Sequence, residues 1–346
     1  MKLLLLRGAL LAASATLMTA GLPCAAEQAG AAYQVTRAVP LGAPDRWDYV
    51  VFDPPSHRVY VAHGDRVTVV DGRDGSIIGQ VEGYPGGTHG IAIVATLGRG
   101  FTDDGRAGEA GAFDLKTLKT SRRIKTAVDA DGIVFDSVSG YVFVINGDTG
   151  SITVIDPKQE AATAEVQGGG QLEAAVVGDD GKLYVNGAEK SEIIRLDTRS
   201  NKIDARWPIP QCQRPHGIAI DNAGRRLFSS CVNKVLVVLN LDSGTTVATL
   251  PIGAGSDSAA FDPTRKRVFS SNGRDGTLSI LQEKDPQTFE PLATVKTAVS
   301  ARTMDIDPAS GRIYLVAADT APAATEGARP SVVPGSLKLL FLDPAN

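Results

Sequence analysis

A phrase of about 42 residues returns seven times along this chain, and one position within it always carries an ionisable side chain. Aligning PHGIAID at 215–221 with its six relatives puts Asp48, His89, Asp131, Glu173, His216, Asp257 and Arg302 in a single column. A period of this length means that each copy is a supersecondary unit that must stack on its neighbours to bury its apolar face. The fold is therefore a ring or a solenoid, and in a ring one repeat position meets itself around one axis.

Each copy reads as four short strands. The first is an apolar run closing on aspartate, as in YVVFDP (49–54) and AAFDP (259–263). Asp before Pro, Ser or Asn then sets a turn through local backbone hydrogen bonds. The second strand is β-branched and aromatic, as in RVYVA (58–62) and RLFSS (226–230), and the third ends on another turn, as in VTVVD (67–71) and ITVID (152–156). The fourth alternates in polarity, as in IIGQVE (77–82), which marks a strand with one face in water. Four antiparallel strands per copy with no helical period between them describe a β-propeller blade. Tyr33–Pro40 (YQVTRAVP) reads as a fourth strand arriving before the first copy, and the last copy, 301–346, stops after its third. The expected fold is all-β, a seven-bladed β-propeller of four-stranded antiparallel blades, with the N-terminal strand completing the last blade so that no sheet edge is left. Blade two is glycine-rich over 98–114 and is expected to have the weakest middle strands. Blade seven carries an Ala- and Pro-rich insertion over 319–335, read as a mobile loop.

The chain has 346 residues, 43% hydrophobic and 21% charged, which suits a globular protein, and the repeat leaves no boundary for a second domain within 27–346. Lys2 and Arg7 among leucines, an apolar stretch over 9–20 and small residues before Glu27 read as a secretory signal peptide over 1–26, cut after Ala26. Pro23 before Cys24 fits lipid attachment poorly. The mature protein is expected in the periplasm or secreted, as a monomer, with no membrane span. Its 33 bases against 39 acids give a net charge of −6, which disfavours nucleic acid as a partner. Two cysteines remain, Cys212 and Cys231. Pairing 218–221 with 226–229 places Cys231 opposite His216, so the two are expected either to bridge or to stay as buried thiols.

The phrases PHGIAID, RVYVAHGDRVTVVD and FDPPSHRVYVAH resemble the YVTN-repeat β-propeller family over roughly 47–343. The resemblance implies the propeller fold and an exported bacterial protein, and it specifies architecture more than activity. The asparagine of the family motif is kept at Asn146 and Asn272, whereas other copies carry His63, Asp104, Gly187, Cys231 and Ala317.

In a propeller the first strand of each blade lines the channel, so the ionisable column is expected to ring the channel mouth as a ligand site. Crowded carboxylates repel unless protonated or neutralised, and a divalent ion is one neutraliser. Asp131 and Glu173 suit Ca²⁺ or Mg²⁺, and His89 and His216 add affinity for Zn²⁺ or Mn²⁺. His63, Asp104, Asn146, Asn186 and Asn272 are expected as an outer collar. Arg302 is read as pairing with a solute carboxylate or with its neighbours Asp48 and Asp257. The chain has no GxSxG, no phosphate loop and no CxxCH. Binding of a metal ion or small solute therefore ranks ahead of catalysis. A metal-dependent lactonase or lyase using His89 or His216, and a protein-interaction scaffold, are the alternatives.

Overall fold

The computed structural model describes residues 32–322 and 330–345. The expected signal peptide lies outside the described residues, as do 323–329 within the blade-seven insertion. Seven four-stranded antiparallel sheets follow one another in chain order. Six are contiguous, from Val50–Glu82 in blade one to Ser256–Lys296 in blade six. The seventh is composite. Thr303–Ile306, Ile313–Ala317 and Lys338–Pro344 are completed on the outer edge by Tyr33–Pro40, with Tyr33 opposite Pro344 and Pro40 opposite Lys338. The spare strand and the missing strand are thus one pair, as the sequence implies.

Burial between blades holds the ring. Seven apolar clusters occupy the seven interfaces, including the closing one, where Val39, Trp47, Val59, Tyr314 and Phe341 join blades seven and one. Each second strand contributes one aromatic to this packing: Tyr60, Phe101, Phe143, Tyr184, Phe228, Phe269 and Tyr314 are all buried. Fully burying one such side chain stabilises by roughly 1.5–3 kcal/mol, so the aromatic position is where the repeat secures its stacking. Blade two keeps regular middle strands, Arg99–Asp104 and Glu109–Asp114, despite its glycines. The Phe113 ring and the Tyr84 hydroxyl fill the space that side chains at Gly100 and Gly111 would need. The ends of the blade-seven insertion are paired, Thr320–Ala321 with Ser331–Val332, rather than loose.

One irregularity recurs and decides where the column points. The pairing between first and second strands slips between Ala130 and Ile133, Leu172 and Ala175, Pro215 and Ile218, and Ser256 and Ser258. In blade one, Asp48 and Tyr49 together face Ala62, which accepts from the Asp48 amide at 3.0 Å and donates to the Tyr49 carbonyl at 3.0 Å. Each is a bulge, where two residues oppose one and a side chain is re-aimed. Asp131, Glu173, His216 and Asp257 each sit within a slip, so the bulge turns them out of the sheet. The same slip sets Cys231 opposite Pro215 and not His216. Cys212 and Cys231 nonetheless form a disulfide, with Cα atoms 5.3 Å apart.

Gly217 shows how tightly the bulges nest. A Cβ there would stand 2.5 Å from the Ala259 amide nitrogen of the next blade, a backbone atom that cannot give way locally. Gly217→Val is expected to lower stability by about 1–3 kcal/mol, read as a lower denaturant midpoint with an unchanged m-value. A neutral result would contradict the close nesting.

Candidate channel-mouth site

The first strands enclose a central cavity of about 460 Å³, lined by all seven blades from Val51 and Ile93 round to Ala259 and Met304. At its bulged end the column forms a chain of charges. Arg214 approaches Glu173 at 3.9 Å, and His216 Nδ1 lies 3.6 Å from Glu173 and 3.1 Å from Asp257. Arg302 then stands 3.4 Å from Asp257 and 3.9 Å from Asp48. It also donates to the Trp47 carbonyl at 2.9 Å and lies over the Trp47 ring. Both internal partners expected for Arg302 are present. Arg214, His216 and Arg302 alternate with the three carboxylates, so with His216 protonated the arc carries three positive groups against three negative ones.

The protonation directions follow from that order. Burial alone would raise Asp257, but the His216 hydrogen bond and Arg302 hold it below the usual carboxylate range. Burial opposes charge on His216, and Asp257 and Glu173 outweigh it, so its pKa is raised. Burial raises Glu173 and Asp48, with His216 and Arg302 respectively pulling back. Asp131 differs. Among the described residues its carboxyl has no hydrogen-bond or ion-pair partner, and burial, then Asp48, push it well above the ordinary value.

His89 is held by another device. Its Nδ1 lies 2.7 Å from the fully buried Asp103, which also accepts the His89 and Gly90 amides at 2.8 and 2.7 Å. Those amides precede the paired run of the first strand, which begins at Ile91, and would otherwise be left without a partner. Gly105 lets the second-strand loop close on the imidazole, since a Cβ there would stand 2.6 Å from His89 Cε1. Burial opposes charge on His89, yet the Asp103 hydrogen bond and charge, with Asp48 and Asp131, lift it to about 9. Burial raises Asp103 to about 6 even with His89 beside it. Asp103 takes the imidazole's Nδ1 and leaves Nε2 for the mouth.

Tyr49 is the other group that the periodic reading missed, because it follows the column by one residue. Although it starts in blade one, it packs against the apolar cluster between blades four and five, and its hydroxyl comes near Gly132. Burial, then Asp131, Asp48 and Glu173, push the phenol well above its ordinary pKa, so it floors the mouth as a neutral hydroxyl.

The expected outer collar is not at the mouth. His63, Asp104, Asn146, Asn186 and Asn272 are all buried. His63 is held by Thr68 at 2.8 Å and the Pro44 carbonyl at 2.7 Å, Asn146 donates to Ser151 and Thr153, and Asn272 donates to Thr277 and Ser279. Asp104 lies 3.7 Å from Arg123. Asn186 donates to the His216 and Gly217 carbonyls at 2.7 and 3.1 Å, steadying the bulge of the next blade. Asn186 and Asp103 occupy the same repeat position, one before the end of the second strand, and Ser271, which donates to the Arg302 carbonyl, is its counterpart in blade six. That position, rather than the strand-end asparagine, supports the mouth. The signal lay in the sequence as a polar residue at 103, 186, 230 and 271, one residue before the motif's asparagine.

Among the described residues, no group of three or more His, Cys, Asp or Glu side chains is arranged to hold a metal ion, and no helix is long and apolar enough to cross a membrane.

The fold and site define a seven-bladed β-propeller with a charged channel mouth. No family model matches the chain, and no curated protein matches it. Among solved structures it is similar to a chain of Kuenenia stuttgartiensis hydrazine synthase, at 13% identity and a TM-score of 0.69, covering 77% of this chain and 91% of that one. The likeness carries the propeller fold.

Asp103→Asn is expected to lower the His89 titration midpoint from about 9 towards or below its ordinary 6.5, because the opposing effect of burial remains. Imidazole ¹⁵N shifts measure it. A midpoint that stays near 9 would contradict the assigned pairing.

Proposed function

We propose that this protein is an exported YVTN-type propeller that binds a small solute at the channel mouth. The observation that carries this is Asp131, a carboxyl without a partner among the described residues, in a ring whose other members are paired. A half-buried polar group left unsatisfied beside a neutral phenol and above an open cavity suits a ligand that supplies the missing hydrogen bonds. Arg214, His216 and Arg302 already stand against the three carboxylates of the arc, which favours a solute over a divalent ion. Export rests on the basic and apolar N-terminal residues, and the disulfide is compatible with an oxidising compartment.

Catalysis is the second reading, favoured by the buried carboxylate that orders His89. An imidazole with its Nδ1 fixed and its Nε2 free has the arrangement of a proton-transfer group. In that case Asp103 would be a positioning residue.

Thermal-shift screening of the mature chain against small organic acids, amines and sugars, and chlorides of Ca²⁺, Mg²⁺, Zn²⁺ and Mn²⁺, tests the proposal. A binding solute present at 100 times its Kd stabilises by about 2.7 kcal/mol, a rise of several degrees. That rise is expected to vanish in Asp131→Ala. A response to metal salts alone, reversed by chelation, would replace the solute with an ion. A solute response that survives Asp131→Ala and Tyr49→Phe would place the site elsewhere.

A further inference from the structure

We infer that Arg46 and His89 form a clamp for an oxyanion at the channel mouth, and that the solute taken there carries a carboxylate. This deepens the proposed function and rests on it.

The clamp follows from where hydrogen-bonding capacity is left over. Asp103 takes His89 Nδ1, so the nitrogen left for the mouth is Nε2. The group nearest to it is the guanidinium of Arg46, 3.5 Å away. Arg46 is exposed and, among the described residues, has no carboxylate partner, whereas the mouth's other arginines pair with Glu173, Asp257 or Asp48. Its guanidinium lies against Gly87, whose missing side chain leaves room for it. A guanidinium only donates, and an imidazolium donates from both nitrogens. Once His89 is charged, two donors face each other across 3.5 Å with no acceptor between them. An oxyanion bridging them would satisfy both and offset their repulsion, and its two oxygens match two convergent N–H groups.

The groups facing this point set its selectivity. Asp48 and Asp131 border His89 on the ring, and Asp103 lies behind it. Asp48 is paired with Arg302, Asp103 with His89 itself, and Asp131 is raised well above the ordinary carboxylate range. An incoming anion therefore meets two cations at this edge, with the neighbouring carboxyls either paired or shifted towards protonation. A divalent cation would have to sit beside Arg46 and displace it. Asp131 and the Tyr49 hydroxyl are placed to accept or donate to a polar group elsewhere on the same solute.

The test is NMR titration of the mature chain with sodium acetate, sodium succinate, methylammonium chloride and calcium chloride, following His89 ring resonances. Acetate and succinate are expected to shift them saturably. Arg46→Gln and Asp103→Asn are each expected to weaken that binding by about ten- to a hundredfold, the range of a lost charge-assisted hydrogen bond. Arg195→Gln, which alters an outer ion pair with Asp204, is expected to leave it unchanged. Anion binding that survives both mouth substitutions overturns the clamp. Saturable shifts from methylammonium or calcium alone overturn the clamp but keep the mouth as a site. Shifts from none of the four overturn the clamp, and a thermal-shift screen that is also silent overturns the mouth as a site.

Discussion

In five of the seven blades the mouth depends on a bulge at the start of the first strand. A regular strand sends successive side chains to opposite faces, so an unbroken ladder would hold the column residues in the blade-to-blade packing. Putting two residues opposite one breaks that alternation. In blades three to six the bulge contains the column residue itself, and in blade one the pair Asp48 and Tyr49 faces Ala62. A bulge frees backbone groups, and buried backbone groups must be paired. Side chains from one repeat position pair backbone groups at the strand starts, bulged or not: Asp103 takes two amides in blade two, and Asn186 and Ser271 bond carbonyls of the following blade.

Charge order turns the bulged ring into a selective surface. Seven ionisable groups around one axis could have been a repulsive cluster, but the sequence of charges from Glu173 to Asp48 alternates in sign, with His216 and Arg302 as the spacers. With Arg214 at the Glu173 end, three cations face three carboxylates, and the arc needs no external ion. What remains outside it is the unpaired carboxyl of Asp131 with its raised pKa, a neutral phenol at Tyr49, and the paired His89 with Arg46 beside it. The chemistry offered to a visitor is therefore hydrogen bonding and a local pair of cations, set above a cavity whose apolar lining is broken by Asp53, Ser258 and Asp305.

The propeller was legible because its determinants are periodic. Apolar runs, turn aspartates and one aromatic per second strand repeat with the blades, and the displaced strand Tyr33–Pro40 identified closure. The ionisable column was legible for the same reason. Its neighbours were not. Tyr49 differs from its counterparts in the other copies and carries no period, and its packing depends on the tertiary approach of blades four and five. Asp103 was hidden by a one-residue offset: the familiar strand-end asparagine drew attention to Asp104, Asn146 and Asn272, which are buried within their blades, while the supporting side chain lies one residue earlier. The placement of Cys231 opposite Pro215 has the same origin, since a bulge cannot be counted from residue types alone.

The central claim is that the arc from Arg214 to Asp48 pairs its own charges and leaves Asp131 without a partner among the described residues, its pKa raised by burial and by Asp48. The most direct measurement is the pH titration of the Asp131 side-chain carboxyl ¹³C shift in the mature protein without added ligand. The account predicts a midpoint well above the ordinary aspartate value of about 3.9, falling when Asp48 is replaced by Asn because one of the charges that raises it is lost. A midpoint near the ordinary value, unmoved by Asp48→Asn, would contradict it.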